Sequence, residues 1–172
     1  KKRIKQVANE GVIDIVSNPS LSYEKLVRPT LKYTDHLICN DYEAGQLTNI
    51  QTQDRHDVFI MEAIKEAAKK IITLGVKKNV IIHMPEGAYC LTADGNEYFQ
   101  ESCKIPTNQI VASCGAGDAF AAGILHGIHE NWDMQKSLLL AVCAAGASLT
   151  DETNADGIKP LNETLALKEM WK

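Results

Sequence analysis

The sequence has no Cys-x-x-C pair, no G-x-x-x-x-G-K-[ST] run and no complete G-x-G-x-x-G. Its five cysteines, Cys39, Cys90, Cys103, Cys114 and Cys143, are odd in number and widely spaced. Neither a disulfide framework nor a zinc knuckle is indicated, and reduced thiols in a cytoplasmic protein are the simplest reading. The missing phosphate loop argues against a P-loop kinase. The missing dinucleotide fingerprint, with no acidic residue at the ribose distance, argues against a dinucleotide-binding oxidoreductase. There is no excess of positive charge: Lys and Arg number 18 against 22 Asp and Glu, for a net charge of -4. Nothing builds the basic field that nucleic acid or an anionic membrane surface requires. Long apolar runs are also absent. Ser137 to Leu149 is the longest, it is too short to span a bilayer, and it holds small residues throughout. The opening residues, Lys1-Lys2-Arg3-Ile4-Lys5-Gln6, lack the apolar stretch of a secretory signal. They read as the interior of a helix, with no initiator methionine, so the true N-terminus is expected to lie upstream.

What is present is ordinary for a folded domain. Of 172 residues, 45% are apolar and 23% charged, a balance that excludes a largely disordered chain. The length favours one domain over two and suffices for a sizeable core. Ile4 to Asn9 reads as a helix tail stopped at Gly11, and Val12 to Val16 as a short strand. A short helix is expected over Tyr23 to Leu31, and a strand over His36 to Cys39. The clearest helix runs from about His56 to Leu74, where Met61, Ile64, Ala68 and Ile71 form one apolar stripe and Gly75 is placed to cap the end. Val80 to Ile82 reads as a buried strand. Ala88 to Leu91 and Glu97 to Phe99 form a hairpin around Asp94-Gly95. A strand is expected to lead from Asn108 to Val111 into a small-residue turn. A helix follows from Gly115 to about His129. Asp133 can cap another through Leu149, and a terminal helix starts near Asn162. Alternating strands and helices argue for a parallel sheet with helices on its faces.

The stretch that carries chemistry is Val111-Ala112-Ser113-Cys114-Gly115-Ala116-Gly117-Asp118-Ala119-Phe120. Two glycines let the backbone bend so that N–H groups converge, and a helix start adds its positive dipole end. That makes an oxyanion or phosphate cradle. A carboxylate beside such a cradle has one useful task, taking the proton of a hydroxyl that attacks phosphorus. A tight turn with Asp118 favoured by the dipole explains the same residues about as well. Likewise Asn40 and Glu43 have the spacing of a helix capping box.

The order of these elements resembles the ribokinase-like (pfkB) carbohydrate kinases. Gly115-Ala116-Gly117-Asp118-Ala119-Phe120, with Gly123, is similar to that family's D-T-x-G-A-G-D signature and the small-residue helix after it. Asn40-Asp41-Tyr42-Glu43 is similar to its N-x-x-E motif. Val80 to Ala88 resembles the strand and turn before its nucleotide loop, and Ala144 to Ser148 its small-residue helix beside the adenine pocket. The resemblance implies a three-layer α/β/α fold with a mostly parallel central sheet. It also implies that residues 1–172 are the C-terminal, nucleotide-binding and catalytic part of a longer kinase. Asp118 would be the general base, and the N–H groups of Gly115, Ala116 and Gly117 the anion hole. Asn40 and Glu43 would act on Mg2+, and His83, Glu86, Gly87, Cys143, Gly146 and Ala147 would lie around the nucleotide. The implied reaction is transfer of phosphate from ATP to a sugar-type hydroxyl. A nucleoside kinase, or a weakened relative that senses a nucleotide or metabolite, stays open, as does a homodimer. The acceptor itself is not specified. Ala112 stands where the signature has its first Asp, which leaves activation by a monovalent cation open. Pro85 replaces a usual glycine, and His83 a small hydroxyl residue.

Other candidates have plainer explanations. His126 and His129 share a helix face without a third ligand. Cys114 reads as a spacer in the turn. Asp151, Glu152 and Asp156 read as a solvated loop.

Overall fold

A computed structural model of the protein describes residues 10–15, 22–56, 58–111, 114–153 and 155–171. The expected helix tail at Ile4 to Asn9 and the departures at Ala112 and Ser113 lie outside them. The chain divides into two compact units. The first takes in the described residues up to Met84 together with Tyr89–Tyr98, and the second comprises Pro85–Ala88 and the residues from Phe99 onward.

Five strands form one sheet in the order β1-β2-β3-β4-β5: β1 (Val12–Asp14), β2 (His36–Asn40), β3 (Asn79–Met84), β4 (Gly87–Thr92) and β5 (Glu97–Glu101). The first three run parallel, with Ile13 opposite Leu37, Leu37 opposite Val80 and Asn40 opposite His83. The tight turns after β3 and β4 reverse the chain, which makes the sheet mixed. β1 ends at Asp14, before Ile15 of the expected Val12 to Val16 strand, and Val16 lies outside the described residues. Ile15 still donates its N–H to the Ile38 carbonyl at 3.1 Å.

In the first unit, Leu37, Cys39, Val80 and Ile82 of β2 and β3 are fully buried in a cluster with Ile64, Ala67, Ala68 and Ile71. These last four come from α3 (Met61–Thr73), the third helix after α1 (Tyr23–Leu26) and α2 (Asp41–Thr48). The α3 stripe is the expected one, and truncating Ile64 or Ile71 to Ala would cost roughly 2–5 kcal/mol. The helix begins later than His56 because Asp54 Oδ1 accepts the N–H groups of both His56 and Val58, a turn that competes with helix. Gly75 ends it as expected. Its φ is +126°, and a Cβ there would stand 2.9 Å from Lys32 Cα. Arg28–Tyr33 is a 3-10 turn, because Pro29 sets the first turn and the ladder does not lengthen beyond it.

In the second unit, α4 (Ala116–His129) is followed by α5 (Met134–Ser148) and α6 (Leu161–Met170). Asp133 caps α5, its Oδ1 accepting the Lys136 N–H at 2.8 Å. The strand expected over Asn108 to Val111 is not there. Thr107–Gln109 is a 3-10 turn, and Ile110 and Val111 are 43% and 54% exposed. Val111 spends its N–H on the Leu149 carbonyl, at 2.9 Å, instead of on a neighbouring strand. Helices α4 and α5 approach closely where α4 has no side chain. A Cβ on Gly123 would meet Ala141 Cα at 2.6 Å and Ala141 N at 2.9 Å, and one on Gly127 would meet Ser137 Cβ at 2.6 Å. Helix propensity alone makes Gly123→Ala stabilising by about 1 kcal/mol. The backbone clash reverses the sign, so the substitution should lower the unfolding free energy of the full-length protein by ~1–3 kcal/mol. Denaturant melts check this, and a variant as stable as the parent would refute the close approach.

Candidate active site

Strand β2 ends at Asn40, whose backbone stays extended while its side chain turns back to start α2. Asn40 Oδ1 accepts the Glu43 N–H at 2.7 Å, and Glu43 Oε2 accepts the Asn40 N–H at 2.8 Å. The capping box is therefore real. It also fixes both side chains at the C-terminal end of a parallel strand, where open α/β sheets take their ligands. Glu43 is 2% exposed. Asp41, which sequence reasoning passed over, is also buried. Its Oδ2 accepts from Gln53 Nε2 at 2.9 Å, and its carbonyl accepts from Thr52 Oγ1 at 2.7 Å. The available signal was its position in the first helical turn, where the dipole favours a carboxylate. Burial holds the Cys39 thiol well above the usual range, and the charges of Glu43, Asp14 and Asp41 push it the same way. Negative charge thus collects at the ends of β1 and β2.

Among the described residues no three His, Cys, Asp or Glu side chains are grouped to ligate a metal ion directly. Asn40 Oδ1 and Glu43 Oε2 are each already accepting a backbone N–H. That donor set fits a cation held through water, the habit of Mg2+.

His83 lies opposite Asn40 in the β2–β3 register. Burial lowers its pKa to about 4, with the Asp41 carboxylate opposing the shift. The ring is neutral at pH 7 and offers no charge to a phosphate. Glu86 is exposed in the turn after β3, and its carbonyl accepts the Ser102 N–H at 2.9 Å. Gly87 is a packing glycine, since a Cβ would come within 2.5 Å of the Gln100 carbonyl oxygen.

In the second unit, Gly115 has φ +86°, the left-handed conformation that glycine adopts without strain, and it precedes Ala116, the first residue of α4. The helical ladder opens with Ala119 N–H to the Gly115 carbonyl at 3.0 Å. The N–H groups of Ala116, Gly117 and Asp118 therefore lie ahead of the ladder, at the positive end of the helix. Asp118 sits in that first turn and is exposed. The leading N–H groups of α4 and an exposed carboxylate thus share one turn. Cys143, Gly146 and Ala147 are buried in α5. Cys143 Sγ is 3.8 Å from Cys103 Sγ, and Gly146 packs on Cys103 and Ile105. The Ala147 carbonyl accepts Thr150 Oγ1 at 2.8 Å.

The profile of the pfkB family carbohydrate kinases matches residues 2–159. The chain belongs to that family. This pfkB chain is 28% identical over 136 residues to 5-dehydro-2-deoxygluconokinase of Clostridium botulinum, a match covering 73% of this chain and 39% of the relative. It superposes on Arabidopsis thaliana ribokinase complexed with ribose and ATP with a TM-score of 0.75. The sequence identity there is 22%, over 98% of this chain and 50% of that one. An Escherichia coli protein described as a ribokinase II, in complex with ATP and Mg2+, gives a TM-score of 0.73 at 20% identity, over 97% and 51% of the two chains. The fold is ribokinase-like, and this chain spans about half the length of these solved structures and less of the curated relative. Among the described residues no helix is long and apolar enough to cross a membrane.

The half-buried, neutral His83 has a consequence for stability. Its folded pKa, about 4, is below the unfolded value of 6.5. Between these values the unfolded chain binds a proton that the folded chain does not, so stability falls as pH drops through that window. In full-length protein, His83→Gln should remove this component. The difference between variant and parent should be flat above pH 6.5 and grow to at most ~3 kcal/mol near pH 4. Denaturant melts across this range read it, and parallel curves would show that folding leaves the His83 pKa at its unfolded value.

Proposed function

We infer that these residues are the C-terminal, nucleotide-binding and catalytic part of an ATP-dependent kinase that phosphorylates a hydroxyl of a sugar or related carbohydrate. The observation that carries this reading is the Gly115 turn. One left-handed glycine puts the leading N–H groups of α4 and the Asp118 carboxylate on the same helical turn. Phosphoryl transfer demands that combination: donors for charge that develops on the transferred group, and a base for the attacking hydroxyl. Family membership supports the reading, and so do the names of the curated relatives.

In this mechanism Asp118 accepts the proton of the acceptor hydroxyl as its oxygen attacks phosphorus. The N–H groups at Gly115, Ala116 and Gly117 hold the phosphoryl oxygens as their charge grows, and those of Ala116 and Gly117 cost no reorganisation because the helix fixes them beforehand. Asn40 and Glu43 would hold Mg2+ through water, and the ion would supply positive charge to the phosphates. The neutral His83, the turn at Glu86 and Gly87, and the small-residue run at Cys143, Gly146 and Ala147 bound the nucleotide end. For Gly87 and Gly146 the contribution is shape, because their lack of a side chain is what permits close packing. A cytoplasmic location belongs to the same proposal, and the unpaired thiols are in keeping with it.

The test is ATP-dependent transfer by the full-length protein to a panel of sugars, acidic keto-deoxy sugars and nucleosides. One acceptor class should be phosphorylated. Asp118→Asn should lower kcat roughly 10²–10⁴-fold with little change in the KM for ATP. Turnover within a few-fold of the parent would remove Asp118 from the role of base. ATP binding without transfer to any acceptor would favour a nucleotide sensor.

A further inference from the structure

Cys103 follows the end of β5, and Cys143 lies in the middle of α5, forty residues further along the chain. Their sulfur atoms are nevertheless 3.8 Å apart. We propose that Cys103 and Cys143 form a reversible disulfide under peroxide stress, tying the segment after β5 to α5. Three features of the site support this. Closing the bond requires the sulfurs to approach by only roughly 1.8 Å to reach the length of a disulfide. Cys103 is partly exposed whereas Cys143 is fully buried, so one thiol meets the oxidant and the other waits behind it. Lys168 Nζ is hydrogen-bonded to the carbonyls of Glu101 (2.9 Å) and Ser102 (2.8 Å), which sets a positive charge one residue from Cys103.

The two thiols also differ in acidity. The contact with Cys143 and the Lys168 charge lower the pKa of Cys103, against its partial burial, while the same contact and burial raise that of Cys143. Cys103 is thereby the attacking thiolate and Cys143 the resolving thiol. The Cys103 thiolate attacks one oxygen of a hydroperoxide. The O–O bond breaks, the alcohol or water leaves with a proton, and Cys103 becomes a sulfenic acid. Cys143 then attacks that sulfur, the S–O bond breaks, water leaves and the S–S bond forms. Two thiols and one hydroperoxide give one disulfide, one alcohol (or water) and one water. The thiol pair loses two electrons and the peroxide gains them. A thiol reductant reverses the bond by exchange.

Of the remaining cysteines, Cys39 and Cys90 are fully buried and Cys114 is exposed, which supplies an internal control. Reduced full-length protein is treated with hydrogen peroxide, alkylated without reduction, digested and mapped by mass spectrometry. The expected result is a peptide pair linked through Cys103 and Cys143, a loss of two alkylatable thiols, and reversal by dithiothreitol. In Cys143→Ala the linked pair should vanish and a dimedone adduct should appear on Cys103. Cys143→Ser serves the same purpose if the alanine variant does not fold. The proposal is overturned if Cys103 and Cys143 are alkylated separately while Cys114 takes the oxidation. A bond from Cys103 to any other cysteine overturns it equally.

Discussion

The central parallel pair of strands imposes the constraint from which the first unit follows. From Leu37 to Cys39 and from Val80 to Ile82, every side chain is fully buried, on both faces of the pair. Such strands cannot alternate inward and outward residues, and they must be covered on both sides. Parallel pairing also forbids a tight turn between β2 and β3, so the chain has to leave the sheet at Asn40 and return at Asn79. The return path contains α2 and α3, and its first step is the reciprocal bond between Asn40 and Glu43. The residues with most chemical potential in this unit stand where they do because a buried strand ends there and a helix has to begin.

This explains why capping and function need not be weighed against each other at Asn40. A capping box usually spends its side chains on local structure. Here it also immobilises a buried carboxylate at a strand's C-terminal end, and Asp14 and Asp41 add to the negative field. In the proposed role a cation held through water would need orientation and charge more than open ligand positions, and groups already committed to the backbone would supply both.

Much of this was legible from residue order. The α3 stripe, the Gly75 stop, the Asp94-Gly95 hairpin and the Asp133 cap are local effects, decided within a few residues of where they are read. The Asn40-to-Glu43 spacing and the Gly-Ala-Gly-Asp turn are local too, and both took the anticipated form. The misses have non-local causes. Ile110 and Val111 have the composition of a strand, yet Val111 bonds to Leu149, nearly forty residues away. The meeting of Cys143 with Cys103 was equally invisible.

The seam between α4 and α5 has a mechanical meaning. With Ala141 set against Gly123 and Ser137 against Gly127, each helix occupies a notch in the other, and neither can slide along or roll past its neighbour without steric conflict. The two behave as a single lever. Any displacement of the first turn of α4, with Asp118 on it, is carried into α5 and on to the loop at Thr150. The carboxylate therefore has the positional precision of a thirty-residue body rather than that of the loop it adjoins.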